Sequence, residues 1–252
     1  MAEAEKFNHW EAIQQFSENV SPIDFYLIFE NWRLFLDGAW HTVVLVSLSL
    51  LIAGMIAIPL AVCQVNRVPI LARVVGAYTY FFRGTPLLLQ LYLIYYGFSE
   101  IDFIRNGFLW VVFKDAWWCT LIAFTINSAA YTTEILRGAF EQVPRGEVEA
   151  ASASGMSTWK KYSRIIVPSG LRRALPAYSN EVIFMIHGSV VASTVTIIDI
   201  LGAGRILNGK YYLAYEGFIA AAVLYMIIVF FVTRGFNFWE KQWFAHLRPR
   251  ET

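Results

Sequence analysis

A carboxylate, an amide, an imidazole and a hydroxyl fall within one apolar stretch of the chain, as Asn180, Glu181, His187 and Ser189. The stretch reads as a helix buried in hydrocarbon, where a charged side chain costs a few kcal/mol and therefore faces a cavity or a partner. At about 1.5 Å of rise per residue, Asn180 and Glu181 lie about two turns in and His187 near the middle. The chemistry on offer is binding. Glu181 can draw in a cationic or zwitterionic solute, with Asn180, His187 and Ser189 as hydrogen-bonding neighbours. A second reading pairs Glu181 with Arg172 or Arg173 as a structural lock. Further up the chain Glu134 has Arg137 and Arg83 as candidate partners, and Asn127 and Ser128 suit interhelical hydrogen bonds. Catalytic patterns are missing: there is no nucleophile elbow and no cluster with metal-ligand spacing. Gly204-Arg205-Ile206-Leu207-Asn208-Gly209-Lys210-Tyr211 imitates a phosphate-binding loop, but Tyr211 replaces the required Ser or Thr and no strand precedes it.

The elements that must hold these residues are membrane helices. Of 252 residues, 57% are apolar and 15% charged, less charge than a soluble domain carries. Net charge is +1, which gives no reason to expect a nucleic-acid partner. Spans of the roughly 20 residues that a bilayer demands are expected at about 42–65, 86–98, 115–136, 175–197 and 218–233. Pro59 should kink the first. The second is expected to come after a helix over 70–82 and a break at Arg83-Gly84, with Thr85 as N-cap and Pro86 at the first helical position. There Arg83 would snorkel to the headgroups. A single kinked helix over 75–98 is the alternative. Residues 25–40 mix aromatic and polar groups and read as an interfacial segment. Cys63 and Cys119 fall near opposite faces, too far apart to pair, and serve as small packers.

Charge sets the expected orientation. Basic residues come after span one (Arg67, Arg73), span three (Arg137, Arg145, Lys160, Lys161, Arg164, Arg172, Arg173) and span five (Arg234, Lys241, Arg248, Arg250). The N-terminal segment is acidic, with Glu3, Glu5, Glu11, Glu18, Asp24, Glu30 and Asp37, and its first twenty residues lack the basic start and apolar run of a signal peptide. The expected topology is five spans, with the N-terminus outside and the C-terminus in the cytoplasm.

Residues 145–168 lie in the longest basic loop. Helix formers and small residues run from Glu149 to Ser154, Gly155 stops them, and Pro168 fixes the start of the next helical segment. The outcome is a helix, a tight turn and a second short helix, whose small side chains at Ala150, Ala151 and Ala153 leave a smooth face for a partner. The pattern resembles the cytoplasmic docking loop of binding-protein-dependent ATP-binding-cassette importers: Glu-Ala-Ala, three residues, Gly, nine residues, Ile, one residue, a small aliphatic, Pro. Glu149-Ala150-Ala151, Gly155, Ile165, Val167 and Pro168 match it, with Val167 where Leu is commoner. Phe82-Arg83-Gly84-Thr85-Pro86-Leu87-Leu88-Leu89-Gln90-Leu91 is similar to the entry of the second span in polar amino-acid importers. So are Ala130-Tyr131-Thr132-Thr133-Glu134-Ile135, Val143-Pro144-Arg145-Gly146-Glu147 and Leu175-Pro176-Ala177-Tyr178-Ser179-Asn180-Glu181. The resemblance is strongest to the M-type permease subunits of histidine/lysine/arginine/ornithine and opine importers, over about residues 39–245.

That resemblance implies an all-α polytopic permease of the type I importer (MetI-like) fold in a bacterial inner membrane. It divides the chain into a periplasmic acidic tail and interfacial helix (1–38), a transmembrane domain (39–245) with a cytoplasmic docking loop (137–173), and a cytoplasmic tail (246–252). It implies contact with an ATPase through Glu149, Ala150, Ala151, Gly155 and Pro168. The partners it implies are a second permease, homologous or identical, two cytoplasmic ATPases that hold the ATP and Mg, and a periplasmic solute-binding protein. The chain itself then carries no cofactor and no catalytic residue. Cargo is expected to be a basic amino acid or an opine, drawn along Asn180, Glu181, His187 and Ser189, with a neutral or acidic amino acid such as glutamine or glutamate as the alternative. An ATP-independent channel or secondary carrier is the rival class; it would show an internal repeat or a relay of intramembrane carboxylates, and neither is visible.

Overall fold

A computed structural model describes residues 25–243, and every regular element among them is helical. Helix α1 (Phe25–Glu30) leads into α2 (Trp32–Val65), then α3 (Leu71–Gly84) and α4 (Leu87–Tyr92). The last continues as a π turn, Leu93–Gly97, and a 3-10 turn, Phe98–Glu100. Two single-turn helices, α5 (Asp102–Arg105) and α6 (Trp110–Phe113), precede α7 (Ala116–Glu141). After α8 (Arg145–Ala153), α9 (Thr158–Lys161) and a π turn, Tyr162–Ile166, run into α10 (Val167–Gly188), which tightens into a 3-10 segment, Ser189–Val195. Helices α11 (Ile200–Tyr211) and α12 (Glu216–Trp243) complete the described chain.

Helix α7 is the axis of the bundle, packed against α2, α3, α4 and α10. Asp115 starts it, its carboxylate accepting from the Trp117 N–H at 2.9 Å. Its 26 residues reach about 39 Å at 1.5 Å each, enough to cross a bilayer. Yet Thr120, Thr125, Asn127, Ser128, Thr132 and Thr133 all lie on it, and all are buried. Neighbouring helices, not lipid, surround this helix, so it needs no continuous apolar surface.

Around α7 the core divides by depth. One cluster joins Leu45, Leu91, Phe124, Met185 and Val195, and a second joins Ala57, Ala61, Leu136, Phe140, Ile166 and Ala174. Phe35, Ala203 and Leu207 form a third, between the start of α2 and α11. By length and composition α2 and α12 can each cross a membrane. The pair Thr158–Val195 and Ile200–Tyr211, bent by 47°, makes a third if it counts as one span.

Several expected boundaries shift. The first span begins at Trp32, ten residues before the expected 42, so only α1 remains of the interfacial segment 25–40. Phe35 is buried against α11, and Gly38 lies against the Asp199 carbonyl, which draws this part of α2 into the bundle. Helix α2 runs unbroken through Pro59. The break after α3 falls at Thr85-Pro86, where Thr85 is extended, as the residue before proline prefers. Pro86, not Thr85, takes the N-cap position of α4. The Thr85 hydroxyl instead closes the preceding helix by donating to the Phe81 carbonyl at 2.9 Å. Buried Gln90 sews the break together, its Nε2 reaching Phe82 O, Thr85 O and Thr85 Oγ1 at 2.8, 3.0 and 2.7 Å. The segment 218–233 sits inside the longer α12, and the span expected at 175–197 is the continuation of one helical run from Thr158. Residues 1–24 and 244–252, with the acidic tail and the last basic residues, lie outside the described residues.

Gly38 is where α2 touches the α11 entrance most closely: a Cβ there would sit 2.7 Å from the Asp199 carbonyl oxygen. Backbone on both sides leaves little room to yield. Gly38→Val therefore lowers stability by about 1–3 kcal/mol, the usual cost of overpacking. Thermal unfolding in detergent, followed by loss of the monodisperse peak, checks it; an unchanged midpoint removes this contact from the list of fold determinants.

Candidate functional site

Helices α4, α7 and α10 enclose a cavity of about 340 Å³, lined by Leu87, Asn127, Tyr131, Glu181, Phe184 and Met185. Glu181 is 6% exposed, and its Oε1 accepts a hydrogen bond from Ser128 Oγ at 2.9 Å. Its Oε2 accepts none from any described residue. Asn127 is held by donating from Nδ2 to Gln90 Oε1 at 3.0 Å and Phe82 O at 3.1 Å, which ties the cavity wall to the α3–α4 break. The Tyr131 hydroxyl donates to the Arg83 carbonyl at 3.2 Å, and the Arg83 guanidinium lies 5.4 Å from the centre of the Tyr131 ring. The cavity thus has apolar walls, one half-satisfied carboxylate and a few fixed polar groups, which suits a small cationic or zwitterionic solute.

Of the four residues expected along a solute path, only Glu181 reaches this cavity. Asn180 and His187 lie on the exposed face of α10, together with Phe184 between them, which is 70% exposed. The spacing explains it, since Asn180 and His187, seven residues apart, share a helical face about 100° round from Glu181, and Phe184 stands between that face and the cavity it lines. Ser189 is buried elsewhere, donating to Ile186 O at 2.7 Å and lying 3.3 Å from the Tyr225 hydroxyl. Neither Arg172 nor Arg173 makes an ion pair with Glu181, so the lock through those arginines is corrected: the partner is Ser128. The interhelical roles expected of Asn127 and Ser128 are present. Sequence reasoning misses Tyr131 and Gln90 as site residues; the available signal is that Asn127 and Tyr131 stand one turn apart on one helix.

Glu134 gathers three helices. Its Oε1 accepts from Gln64 Nε2 of α2 at 3.1 Å and Thr79 Oγ1 of α3 at 2.9 Å. Its Oε2 accepts from Arg137 Nε and NH2 at 3.0 and 2.9 Å, with Arg83 NH1 at 3.9 Å. Both expected basic partners are there. Arg83 folds back over Tyr131 toward Glu134 rather than snorkelling outward.

The segment after α7 is a helix and a turn stapled to the root of α10. Gly155 has φ +72°, the left-handed conformation open to glycine. Around it the Gly155 N–H donates to Ser152 O and the Met156 N–H to Ala151 O, the two bonds of a Schellman cap. Ser157 then caps α9, accepting from the Lys160 N–H at 3.5 Å. The second arm is not a separate short helix but the first turns of the run into α10. Lys161 Nζ donates to Ser152 Oγ at 3.2 Å, and the Tyr162 hydroxyl donates to Asn66 Oδ1 at 2.8 Å, anchoring the turn to the end of α2. Burial pushes the Tyr162 phenol above its ordinary pKa, against the opposing effect of Asn66. Glu149, Ala150, Gly155 and Pro168 are exposed. Ala151 is not: at 5% exposure it packs inward and supports the hairpin rather than its outer face.

An all-helical bundle, with helices long and apolar enough to cross a membrane and an exposed helix-turn hairpin rooted in a long helix, defines a helical membrane protein. The chain belongs to the binding-protein-dependent transport system inner membrane components, whose family pattern matches residues 49–243. It is 42% identical over 234 residues to the histidine/lysine/arginine/ornithine transport system permease protein HisM of Escherichia coli (strain K12), covering 90% of this chain and 98% of that relative. It is 39% identical over 219 residues to the octopine transport system permease protein OccM of Rhizobium radiobacter, with 87% and 89% covered. A crystal structure of an amino acid ABC transporter with histidines superimposes with a TM-score of 0.76 at 27% identity, over 87% of this chain and 99% of that one. The fold is also shared with a methionine ABC transporter in inward-facing conformations, at a TM-score of 0.68.

The Gly155 turn yields a test that needs no partner. Gly155→Val places a β-branched residue at φ +72° with no neighbour to clash, so the cost is backbone strain of about 1–2 kcal/mol or more, confined to the hairpin. Trypsin cleavage at Lys160, Lys161 and Arg164 then accelerates several-fold while the global unfolding midpoint barely moves. Unchanged cleavage would show that the hairpin does not depend on this turn.

Proposed function

We propose that this chain is a permease subunit of an ATP-driven importer for basic amino acids or opines, and that the cavity at Glu181 lies on the solute path. The observation that carries the reading is Glu181 itself: a buried carboxylate with one oxygen held by Ser128 and the other unbonded, facing a cavity of amino-acid size. An acid left half-satisfied in hydrocarbon is costly unless a cation visits it. Among the relatives' cargoes, lysine, arginine and ornithine carry a side-chain cation at neutral pH, and histidine gains one on protonation. Glutamine or glutamate as cargo would find less use for this carboxylate.

In this reading the chain crosses the membrane five times, with the N-terminus in the periplasm and the hairpin in the cytoplasm. The basic residues after α2, in the hairpin and after α12 support that orientation, and buried polar groups on α7 explain why it crosses without a continuous apolar face. The transmembrane domain spans 39–245, with the docking loop at 137–173. Glu149, Ala150, Gly155 and Pro168 meet a cytoplasmic ATPase, which holds the ATP and Mg, while buried Ala151 keeps the hairpin in shape. A second permease, homologous or identical, completes the pathway. The exposed pair Asn180 and His187, polar at the depth of the bilayer, suits that contact. An external binding protein delivers the solute. Closure of the ATPase pair moves the hairpin, and the rigid run from Thr158 through α10 carries that movement to Glu181.

Purified gently from its membrane, the chain should bring an ATPase with a complete phosphate-binding loop; purification without one, under conditions that keep other transporters intact, favours an ATP-independent carrier. In vesicles holding the whole complex, Glu181→Ala lowers uptake of lysine and arginine by about tenfold or more, the size of a lost hydrogen bond to charge. Neutral amino acids lose less. Equal loss for every solute returns Glu181 to a packing role.

A further inference from the structure

We infer that Arg83 is a specificity-determining residue of the cavity, binding the carboxylate of an amino-acid solute whose cationic end lies at Glu181. The inference rests on the cavity being the solute path. Its ground is an arginine that the fold holds beside the Tyr131 wall of the cavity, tied to Glu134 by only a long ion pair. Glu134, the acid nearest to it, already takes hydrogen bonds from Gln64, Thr79 and two nitrogens of Arg137, and Arg83 stands off at 3.9 Å, too far for a hydrogen bond. Its side chain is 43% exposed. What positions it is the ring of Tyr131, which lines the cavity and lies 5.4 Å from the guanidinium. Tyr131 in turn donates to the Arg83 carbonyl, so residue and ring are held to one another at two points. An acid on α10 therefore lines the cavity and a planar cation at the end of α3 stands beside its Tyr131 wall, a pair that matches the two ends of an amino acid. A guanidinium presents the fork of donors that a carboxylate accepts in bidentate fashion, which a simple amine such as agmatine lacks the group to meet.

The test compares solutes with and without the carboxylate, on the purified permease–ATPase complex free of the external binding protein. Calorimetry measures L-arginine against agmatine, and L-histidine against histamine. The unaltered complex binds each amino acid more tightly than its decarboxylated partner. In Arg83→Gln the amino acids weaken by about tenfold or more while the amines stay within about twofold, and Arg83→Lys recovers part of the loss. If Arg83→Gln weakens all four ligands alike, Arg83 only braces Tyr131 and Glu134, and the inference is overturned. If the unaltered complex binds none of the four, the cavity is not the solute path, and the reading beneath the inference fails with it.

Discussion

Most of the polar side chains buried on α7 find hydrogen-bond partners inside the protein, the Thr125 and Thr132 hydroxyls excepted, and the bonds that reach other helices shape this bundle. Ser128 requires Glu181 on α10, Asn127 requires Gln90 and the Phe82 carbonyl at the α3–α4 break, and Glu134 requires Gln64, Thr79 and Arg137. Each bond fixes one neighbour at one depth. Apolar packing alone would leave those helices free to slide, since lipid tails are as apolar as leucine. The hydrogen bonds thus set the register that leucine and alanine then fill.

The same constraint explains how a cavity survives in the middle of the fold. Breaking the chain at Thr85-Pro86 frees backbone carbonyls, and Gln90 takes them up from the inside. With Gln90 so engaged, its carbonyl oxygen orients Asn127, and Asn127 forms a wall of the cavity. Irregular backbone at membrane depth is tolerated only where protein or a cavity covers it. Here both do.

How much of this is readable in the sequence differs by residue. Gly155 and the small residues before it are legible because a Schellman turn is a local event, decided by a few neighbouring residues. Glu134 with Arg137 is legible for the same reason, being three residues apart on one helix. Glu181 can be recognised as costly, but not assigned to Ser128, because that partner lies 53 residues away and nothing local points to it. Asn180 and His187 look like neighbours of Glu181 in the chain, yet helical rotation sends them to another face. The start of α2 is misplaced because residues 32–40 are aromatic and polar in composition; only tertiary contact with α11, through Phe35 and Gly38, makes them part of the span. Five spans are expected from apolar length, whereas two helices meet that test alone, since α7 hides its polar residues within the bundle.

Coupling between the hairpin and the cavity depends on the same rigidity. The hairpin is not hung on a flexible loop. Its first arm begins three residues after α7 ends, and its second arm is continuous with α10, which carries Glu181. Lys161 and Tyr162 pin the turn to α8 and to the end of α2. A push on the exposed face of α8 therefore cannot be absorbed locally, because the Schellman cap and these two bonds leave no slack. Where such a push can be taken up is the π turn Leu93–Gly97 and the 3-10 segment Ser189–Val195 that precedes the 47° bend into α11. Both interrupt α-helical hydrogen bonding, the usual mark of a position where a helix can shift register. They bracket Glu181 along the chain. Helices joined at such points are the kind that hinge and shear motions displace, and the helix that carries Glu181 ends at one of them.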